Sequence, residues 1–242
     1  MRQPPPSGGP GVFGPGPITP AVRALIIANV VIFVITYAFP GPMIGLFGLK
    51  PAAVLGDARL WQLATHVFLH DPGGFGHILF NMLLLWMFGV ELERRWGSRA
   101  FLRYFLATGI GAGVITVLVS LLPFDATRAI YDASTIGASG ALYAILMAWA
   151  LIWPHRQILF MLIFPLPARA VAAILGAISF FSAVGGVNSG VAEFTHLGGM
   201  LVGWIYLRRP TNLRLAMRYR LTKWRMDRMR KKFDVHKGGR VH

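Results

Sequence analysis

Long runs of apolar residues, separated by short polar connections, dominate the sequence between residues 21 and 207. Several runs approach the roughly 20 residues needed to cross a bilayer core of about 30 Å, and few carry an internal charge. Together with the residues that break them, the runs predict six membrane-spanning helices, at residues 21–39, 76–90, 100–122, 139–153, 168–184 and 191–207. The pattern therefore predicts an all-α membrane protein.

The remaining segments suggest a division of the chain into three parts. Residues 1–20 are rich in Pro and Gly and are expected to be a disordered cytoplasmic leader. Residues 21–208 are predicted to be the six-helix membrane domain, and residues 209–242 a basic cytoplasmic tail. Within the domain, residues 41–75 are too amphipathic for a free loop, so we expect them to lie partly in the membrane interface, against the bundle.

Charges in the connections predict the orientation of the spans. Basic residues follow the second, fourth and sixth spans, whereas Asp57, Asp71 and Asp125 lie in the opposite connections. Because basic connections stay in the cytoplasm and the number of spans is even, we expect both termini to be cytoplasmic.

The net charge of +15 would suggest nucleic acid as the partner of a soluble protein. More than half of the 24 Lys and Arg residues, however, lie beyond residue 207, and 55% of the 242 residues are hydrophobic. We therefore expect no nucleic-acid partner and a tail that lies near anionic lipid headgroups. The absence of cysteine excludes disulfides, iron–sulfur clusters and thiol catalysis.

Four polar residues in or beside the predicted spans are exceptions to the apolar pattern: His77, Asn81, Ser139 and His196. Such residues are costly in lipid unless they are paired or functional. His77 and Asn81 are four residues apart, so they share one face of a helix. The alternating direction of the spans places all four at the same, non-cytoplasmic end of the bundle.

Small residues predict that the fourth and sixth spans approach closely. Gly199 and Gly203 follow His196 at spacings of three and seven residues, and Gly140 with Ala144 forms a smaller face on the fourth span. Close contact between these faces would bring His196 within reach of Ser139.

The four residues together supply the groups that acyl transfer needs. Ser139 would be the nucleophile and His196 its general base, while His77, Asn81 and the backbone N–H of Ser139 would stabilise an oxyanion. Because Glu193 lies at the membrane edge and no carboxylate lies inside a span, a dyad is the simpler interpretation. Taken singly, the serine is more often a packing residue, and the other three would be interhelical hydrogen-bonding groups.

Three further residues support this arrangement in the prediction. Gly137 and Gly140 would let the backbone approach the substrate and the neighbouring helix. Tyr143, one turn beyond Ser139, would pack its ring on His196.

The constellation resembles the rhomboid family of intramembrane serine proteases. The resemblance covers approximately residues 60–207 and rests on "GASG" with Tyr143, "HILFN", "HLGGMLVG" and the segment "ELERRWGS" after the second span. It implies a six-helix fold with an interfacial loop between the first two helices. It also implies cleavage of peptide bonds in or near transmembrane segments of other membrane proteins, with no cofactor and no metal.

The family pattern makes Ser139 and His196 the catalytic dyad, His77 and Asn81 oxyanion donors, and Tyr143 a support for the imidazole. In the family pattern, Glu93 and Arg95 match positions that help to hold the cytoplasmic end of the connection after the second span; Gly97 belongs to the same motif.

The segment "LWQLATHVFLH" resembles the interfacial loop of the family, where His66 and His70 match histidines that are structural or shape a water-accessible cavity. Two departures from the family pattern stand here: Gln62 follows Trp61 where the family has arginine, and the spacing from His70 to His77 is longer.

Two rival functions remain open from the sequence. One is a proteolytically inactive rhomboid-like protein that binds or escorts membrane clients, since fold does not dictate function. The other is a metal or ion site built from His66, His70 and His77, for which the sequence offers no cysteine or intramembrane carboxylate to complete the ligand set.

Overall fold

The computed structural model describes residues 15–160, 163–185 and 191–208, together with Met226; for residues 125, 126 and 191 it describes the backbone only. The prediction of a disordered leader therefore falls mostly outside the described residues. The same holds for the basic tail, apart from Met226. The described residues up to Leu207 form one compact unit.

Helices make up most of the described chain. The longer ones are α1 (Pro20–Ala38), α5 (Phe75–Leu84), α7 (Ser98–Ser120), α9 (Ser139–Ile152), α10 (Ala168–Gly185) and α11 (Val191–Arg208). The shorter ones are α2 (Pro40–Phe47), α3 (Pro51–Gly56), α4 (Gln62–Thr65), α6 (Val90–Trp96) and α8 (Asp125–Asp132). A 3₁₀ turn over His66–Phe68 follows α4, and a π-helical turn over Leu85–Gly89 joins α5 to α6.

A helix lies at each of the six predicted positions. Within the described residues, four segments are long and apolar enough to cross a membrane, by length and composition: Pro20–Ala38, Phe75–Trp96, Ser98–Ser120 and Ala168–Gly185. The helix α9 is apolar but has only 14 residues. The helix α11 has 18 residues and carries charged side chains at both ends.

A β-hairpin between α9 and α10 corrects the all-α prediction. Strand β1 (Gln157–Phe160) pairs antiparallel with β2 (Phe164–Pro167), and Phe160 lies opposite Phe164. Pro165 and Pro167 lack a backbone N–H and are incompatible with a helix interior. A two-stranded hairpin tolerates them because its outer edges need no donor.

Two glycines let the helix α7 pack closely against the 3₁₀ turn that follows α4. A Cβ at Gly109 would lie 2.9 Å from Cγ2 of Val67, and one at Gly113 would lie 2.9 Å from Cε1 of His66. Real Cβ atoms do not come this close, so glycine is required for the segment after α4 to lie against α7.

Hydrogen bonds between helices satisfy polar groups inside the bundle. The Tyr104 hydroxyl donates to the carbonyl of Ala144 over 2.6 Å, and the hydroxyls of Thr116 and Thr195 lie 2.7 Å apart. The indole of Trp149 donates to the carbonyl of Phe88, inside the π-helical turn, over 3.0 Å. A π-helical turn disturbs the regular backbone bonding, and this indole supplies a partner for one of its carbonyls.

The segment between α1 and α5 is held together by side chains that bind the last carbonyls of α2. Trp61 donates its indole N–H to Leu46 over 2.8 Å, and Gln62 donates to the same carbonyl over 3.3 Å. The buried Gln62 also accepts a bond from the backbone N–H of Lys50 over 3.1 Å. Because helix ends leave carbonyls without partners, these bonds fix the segment. Gln62 thus anchors this segment at the position where the family pattern has arginine.

The family pattern places Glu93 and Arg95 in the connection after the second span. In the structure Glu93 contacts the start of α1, and Arg95 contacts Trp153. Glu93 is buried and accepts bonds from the backbone N–H groups of Ala21 and Val22 over 2.8 and 2.9 Å. A carboxylate at these free N–H groups stabilises the start of α1. The Arg95 guanidinium lies 5.5 Å from the centre of the Trp153 ring.

Candidate active site

The loop before α9 brings Ser139 to the start of the helix in a conformation that only glycine permits. Gly137 has a φ of +124°, and a Cβ there would lie 2.9 Å from Nε2 of His77. Its backbone N–H donates to the carbonyl of His66 over 2.9 Å. The loop is therefore fixed to the segment after α4, and Ser139 begins α9 beside His77.

Ser139 and His196 are in hydrogen-bonding contact. The Oγ atom of Ser139 lies 2.8 Å from Nε2 of His196 on α11. The two residues are far apart in the sequence, and α9 and α11 bring them together.

Glycines allow the helices α9 and α11 to approach each other closely. A Cβ at Gly199 would lie 1.9 Å from the carbonyl oxygen of Gly140, and one at Gly203 would lie 2.9 Å from Cβ of Ala144. On the other helix, a Cβ at Gly140 would lie 3.1 Å from Cγ2 of Thr195. The backbones of α9 and α11 therefore touch one turn below the Ser139–His196 pair.

Tyr143 covers one face of the His196 imidazole. The two rings are nearly parallel, at 4°, and their centres lie 4.3 Å apart. This stacking restricts the imidazole to the plane in which Nε2 meets Ser139.

His77 lies at the start of α5, and its tautomer follows from one contact. The backbone N–H of Asp71 donates to Nδ1 of His77 over 3.3 Å. A neutral imidazole whose Nδ1 accepts a bond carries its proton on Nε2. That nitrogen is the one closest to Gly137, so the N–H of His77 points to the Ser139 side.

Asn81 is buried on the same face of α5, but its amide has another partner. Its Nδ2 donates to the carbonyl of His77 over 2.7 Å, and its Oδ1 has no partner among the described residues. One amide hydrogen remains for a ligand in the site. His77 and Asn81 therefore share one face of α5, as predicted. The four-residue spacing did not predict that the Asn81 amide donates to the His77 carbonyl.

Sequence reasoning set Glu193 aside, and the structure brings it into the site. Its Oε2 lies 3.2 Å from Nδ1 of His196. The signal that could have found it is its spacing of three residues from His196, which puts both on one face of a helix. Ser179 on α10 was also missed: it is buried, and its hydroxyl oxygen lies 3.4 Å from that of Tyr143.

An apolar cavity of about 480 Å³ leads away from the pair. Ser139, His196, His77 and Asn81 all line it, and α5, α9, α10 and strand β1 form its walls. Its lining includes Phe80, Leu84, Met87, Leu146, Ile158 and Leu175. A cavity of this size and polarity accommodates apolar side chains next to the serine.

His66, His70 and His77, the three residues of the rival metal site, contact backbone and aromatic groups. Nδ1 of His66 donates to the carbonyl of Gln62 over 2.9 Å, while the rings of His70 and His77 lie 5.0 Å apart edge to face. Burial lowers the pKa of both His66 and His70 to about 4. In the part of the chain that the structure describes, no three His, Cys or carboxylate residues are grouped so as to hold a metal ion.

The bundle of apolar helices is that of a multi-pass membrane protein, with a serine–histidine pair at one end of an apolar cavity. Comparison with known families agrees with this class. The family model described as "Rhomboid domain" matches residues 57–209. The chain belongs to the rhomboid family.

Several curated proteins are similar to the chain. "Rhomboid protein 1, mitochondrial" of Saccharomyces cerevisiae is 32% identical over 133 residues, which are 54% of this chain and 37% of that protein. "Rhomboid protease GluP" of Bacillus subtilis is 30% identical over 159 residues, 65% of this chain and 27% of that protein. "Rhomboid protease AarA" of Providencia stuartii is 25% identical over 218 residues, 79% and 74% of the two chains. The chain thus spans well under two thirds of the first two relatives.

Proposed function

We propose that the protein is an intramembrane serine endopeptidase that hydrolyses peptide bonds in or near the transmembrane segments of other membrane proteins. The observation that carries the proposal is the 2.8 Å contact between Ser139 Oγ and His196 Nε2 at the end of an apolar cavity. Membership of a family whose relatives include proteins named as proteases supports it.

The first chemical step is attack of Ser139 on the substrate carbonyl. Nε2 of His196 takes the proton of the hydroxyl as the Oγ–C bond forms, and the carbonyl oxygen becomes an oxyanion. The imidazolium then gives that proton to the leaving nitrogen as the peptide bond breaks. An acyl-enzyme on Ser139 and a free amine remain.

Water completes the reaction by the same groups. His196 takes a proton from the water as its oxygen attacks the acyl carbon, and returns it to Ser139 Oγ when the ester bond breaks. The products are a carboxylic acid and a restored serine, so the chemistry needs no cofactor and no metal.

Donors for the oxyanion come from three places. The backbone N–H of Ser139 is at the first position of α9, where N–H groups have no partner within the helix. The Nε2–H of His77 and the remaining amide hydrogen of Asn81 face the same cavity. Loss of one such donor typically costs about 3 to 4 kcal/mol in the transition state.

We also propose that all six long helical segments span the bilayer, with both termini in the cytoplasm and the serine open to the opposite side. The basic residues at the end of α6, at the start of α7 and around the hairpin support this orientation. The tail at residues 209–242 then lies on the cytoplasmic surface near anionic lipid. Because the chain has no cysteine, single Asp71→Cys and His155→Cys variants can be labelled in intact vesicles. The proposal requires that an impermeant thiol reagent reaches them from opposite sides.

Substrate helices are expected to enter laterally, past α10. This helix exposes apolar side chains such as Ile178 and Phe181 and forms one wall of the cavity. Because an extended backbone has to reach the serine, substrates with helix-breaking or small residues near the cleavage site are favoured.

The test is cleavage of a reporter transmembrane helix in proteoliposomes by the wild type, Ser139→Ala and His196→Ala. Both variants are expected to be inactive, and a fluorophosphonate is expected to label the wild type at Ser139. Retained cleavage by either variant contradicts the mechanism. A wild type that captures membrane helices but neither cleaves them nor is labelled would instead be an inactive client-binding member of the family.

A further inference from the structure

We infer that Glu193 is a positioning residue for His196, whose carboxylate orients the imidazole of the Ser139–His196 dyad through Nδ1. The inference rests on the proposed function, because it concerns the same imidazole. It names the group that determines which nitrogen of His196 is unprotonated and can act as the base.

The geometry determines the tautomer of His196. A carboxylate accepts hydrogen bonds and donates none, so the Nδ1 atom that lies 3.2 Å from Glu193 Oε2 carries the proton. In a neutral imidazole the other nitrogen is then an acceptor. That nitrogen is Nε2, which lies 2.8 Å from Ser139 Oγ. Glu193 therefore selects the only tautomer in which His196 can take the serine proton.

The same contact stabilises the charged state that forms during the reaction. When Nε2 takes the proton, the imidazolium shares its positive charge with Nδ1, directly beside the Glu193 carboxylate. A negative charge at this distance lowers the energy of the ion pair formed in the transition state. The Glu193 side chain is 27% exposed, so solvent screens part of this effect.

Ser179 connects this pair to α10, which forms one wall of the cavity. It is fully buried on α10, 3.4 Å from the Tyr143 hydroxyl, and its hydroxyl is also a hydrogen-bonding neighbour of the Glu193 carboxylate. Tyr143 in turn stacks on His196. Glu193 and Tyr143 thus hold the imidazole at its edge and its face, and both contact the same residue of α10.

The decisive variant is Glu193→Gln, because glutamine fills the same space and removes the charge. Its amide nitrogen can also donate to Nδ1, which stabilises the wrong tautomer. In a soluble Ser–His–Asp protease the corresponding change lowers kcat by about 10⁴. Since Glu193 is partly exposed, we expect a smaller loss, of roughly ten- to a hundredfold in kcat, with KM within about twofold.

The experiment measures kcat and KM for a reporter helix and the second-order rate of fluorophosphonate labelling at Ser139. The variants are Glu193→Gln, Glu193→Asp and Ser139→Ala. Asp132→Asn is the control, because it removes an exposed carboxylate in the connection before α9. We expect Glu193→Asp to retain more activity than Glu193→Gln, and Asp132→Asn to match the wild type. Thermal unfolding in detergent identifies any variant that fails to fold.

The outcomes separate this inference from the proposed function. If Glu193→Gln is folded and matches the wild type in both kcat and labelling rate, Glu193 does not position His196, while the serine protease assignment stands. If Glu193→Gln changes KM and not kcat, its role is in substrate binding and the inference is wrong. If the wild type neither cleaves nor is labelled, the proposed function and this inference are both overturned.

Discussion

The backbone N–H of Asp71 holds His77 in the tautomer whose Nε2–H faces Ser139. The segment before α5 thus directs a donor on α5 toward the site, and the loop at Gly137 keeps that space open. A donor fixed before the reaction begins stabilises a developing oxyanion without reorganisation.

Replacement of His77 is therefore expected to lower activity while the fold persists. We expect His77→Ala to reduce kcat by about 10²- to 10³-fold in reporter cleavage. Asp71→Asn keeps the backbone N–H that binds His77, so it is expected to cleave at a rate close to the wild type. Equal rates for His77→Ala and the wild type would show that His77 donates nothing to the oxyanion.

The contact between Gly199 and the Gly140 carbonyl predicts a large difference between two glycine-to-alanine changes. In Gly199→Ala the new Cβ would lie 1.9 Å from a backbone oxygen, so α9 and α11 have to separate. We expect a loss of about 3 kcal/mol or more of stability, together with loss of cleavage. The measurement is thermal unfolding in detergent.

Gly176→Ala is the matched control for this change. Its Cβ would lie 3.5 Å from Sδ of Met200, which is ordinary contact, and alanine favours a helix by up to about 1 kcal/mol. This variant is expected to unfold at the wild-type temperature or above. Equal destabilisation by both changes would mean that Gly199 has no special role in helix contact.

Much of the site follows from the sequence because the limits on polar groups in lipid are strict. Apolar runs located the helices, and the few polar residues within or beside them indicated Ser139, His196, His77 and Asn81 as candidate site residues. The spacing of Gly199 and Gly203 then predicted the helix contact that joins the first two. These signals depend on residue type and helical period alone.

Other features depend on information that the sequence pattern does not carry. In "QILFMLIFPLP" nearly every residue is apolar, so periodicity does not separate a buried helix from the hairpin that forms. The π-helical turn has no clear sequence signature. Glu193 was excluded from the predicted site because it lies at the membrane edge. Its spacing of three residues from His196 predicts the contact that the structure has. Asn81 was placed on the correct face, but spacing does not determine which acceptor its amide binds.

The two glutamates of α6 predict a contrast in stability. Glu93 is buried and accepts bonds from the start of α1 and from Ser98, whose hydroxyl lies 2.6 Å away. Glu93→Gln places an amide group against these donors, and we expect a loss of roughly 3 kcal/mol in the free energy of unfolding. Denaturant or thermal unfolding in detergent measures it.

Glu91→Gln is the control for Glu93→Gln. Glu91 pairs with Arg156, and both side chains are partly exposed, at 20% and 39%. Arg156 also lies 4.8 Å from the centre of the Trp149 ring, so it keeps a partner when the carboxylate is removed. We expect a loss of no more than about 1 kcal/mol. A loss as large as that of Glu93→Gln would contradict the assignment of Glu93 as the cap of α1.

The buried histidines of the segment before α5 predict that acid destabilises the protein. Burial lowers the pKa of His66 to about 4, from the value of 6.5 in an unfolded chain. Between these values the unfolded state binds a proton that the folded state does not, so the free energy of unfolding falls as pH falls from 6.5 to 4 and levels off below. The loss is roughly 3 kcal/mol for this residue.

His66→Asn tests this pH dependence directly. Asparagine does not titrate, and its amide can still donate to the Gln62 carbonyl that Nδ1 of His66 binds. The variant is expected to be less stable than the wild type at pH 7.5, because the smaller side chain packs less well beside Gly113. Its further loss between pH 7.5 and 4 is expected to be smaller than that of the wild type by roughly 3 kcal/mol. Unfolding curves at both pH values measure the difference, and parallel losses in the two proteins would show that folding does not lower the pKa of His66.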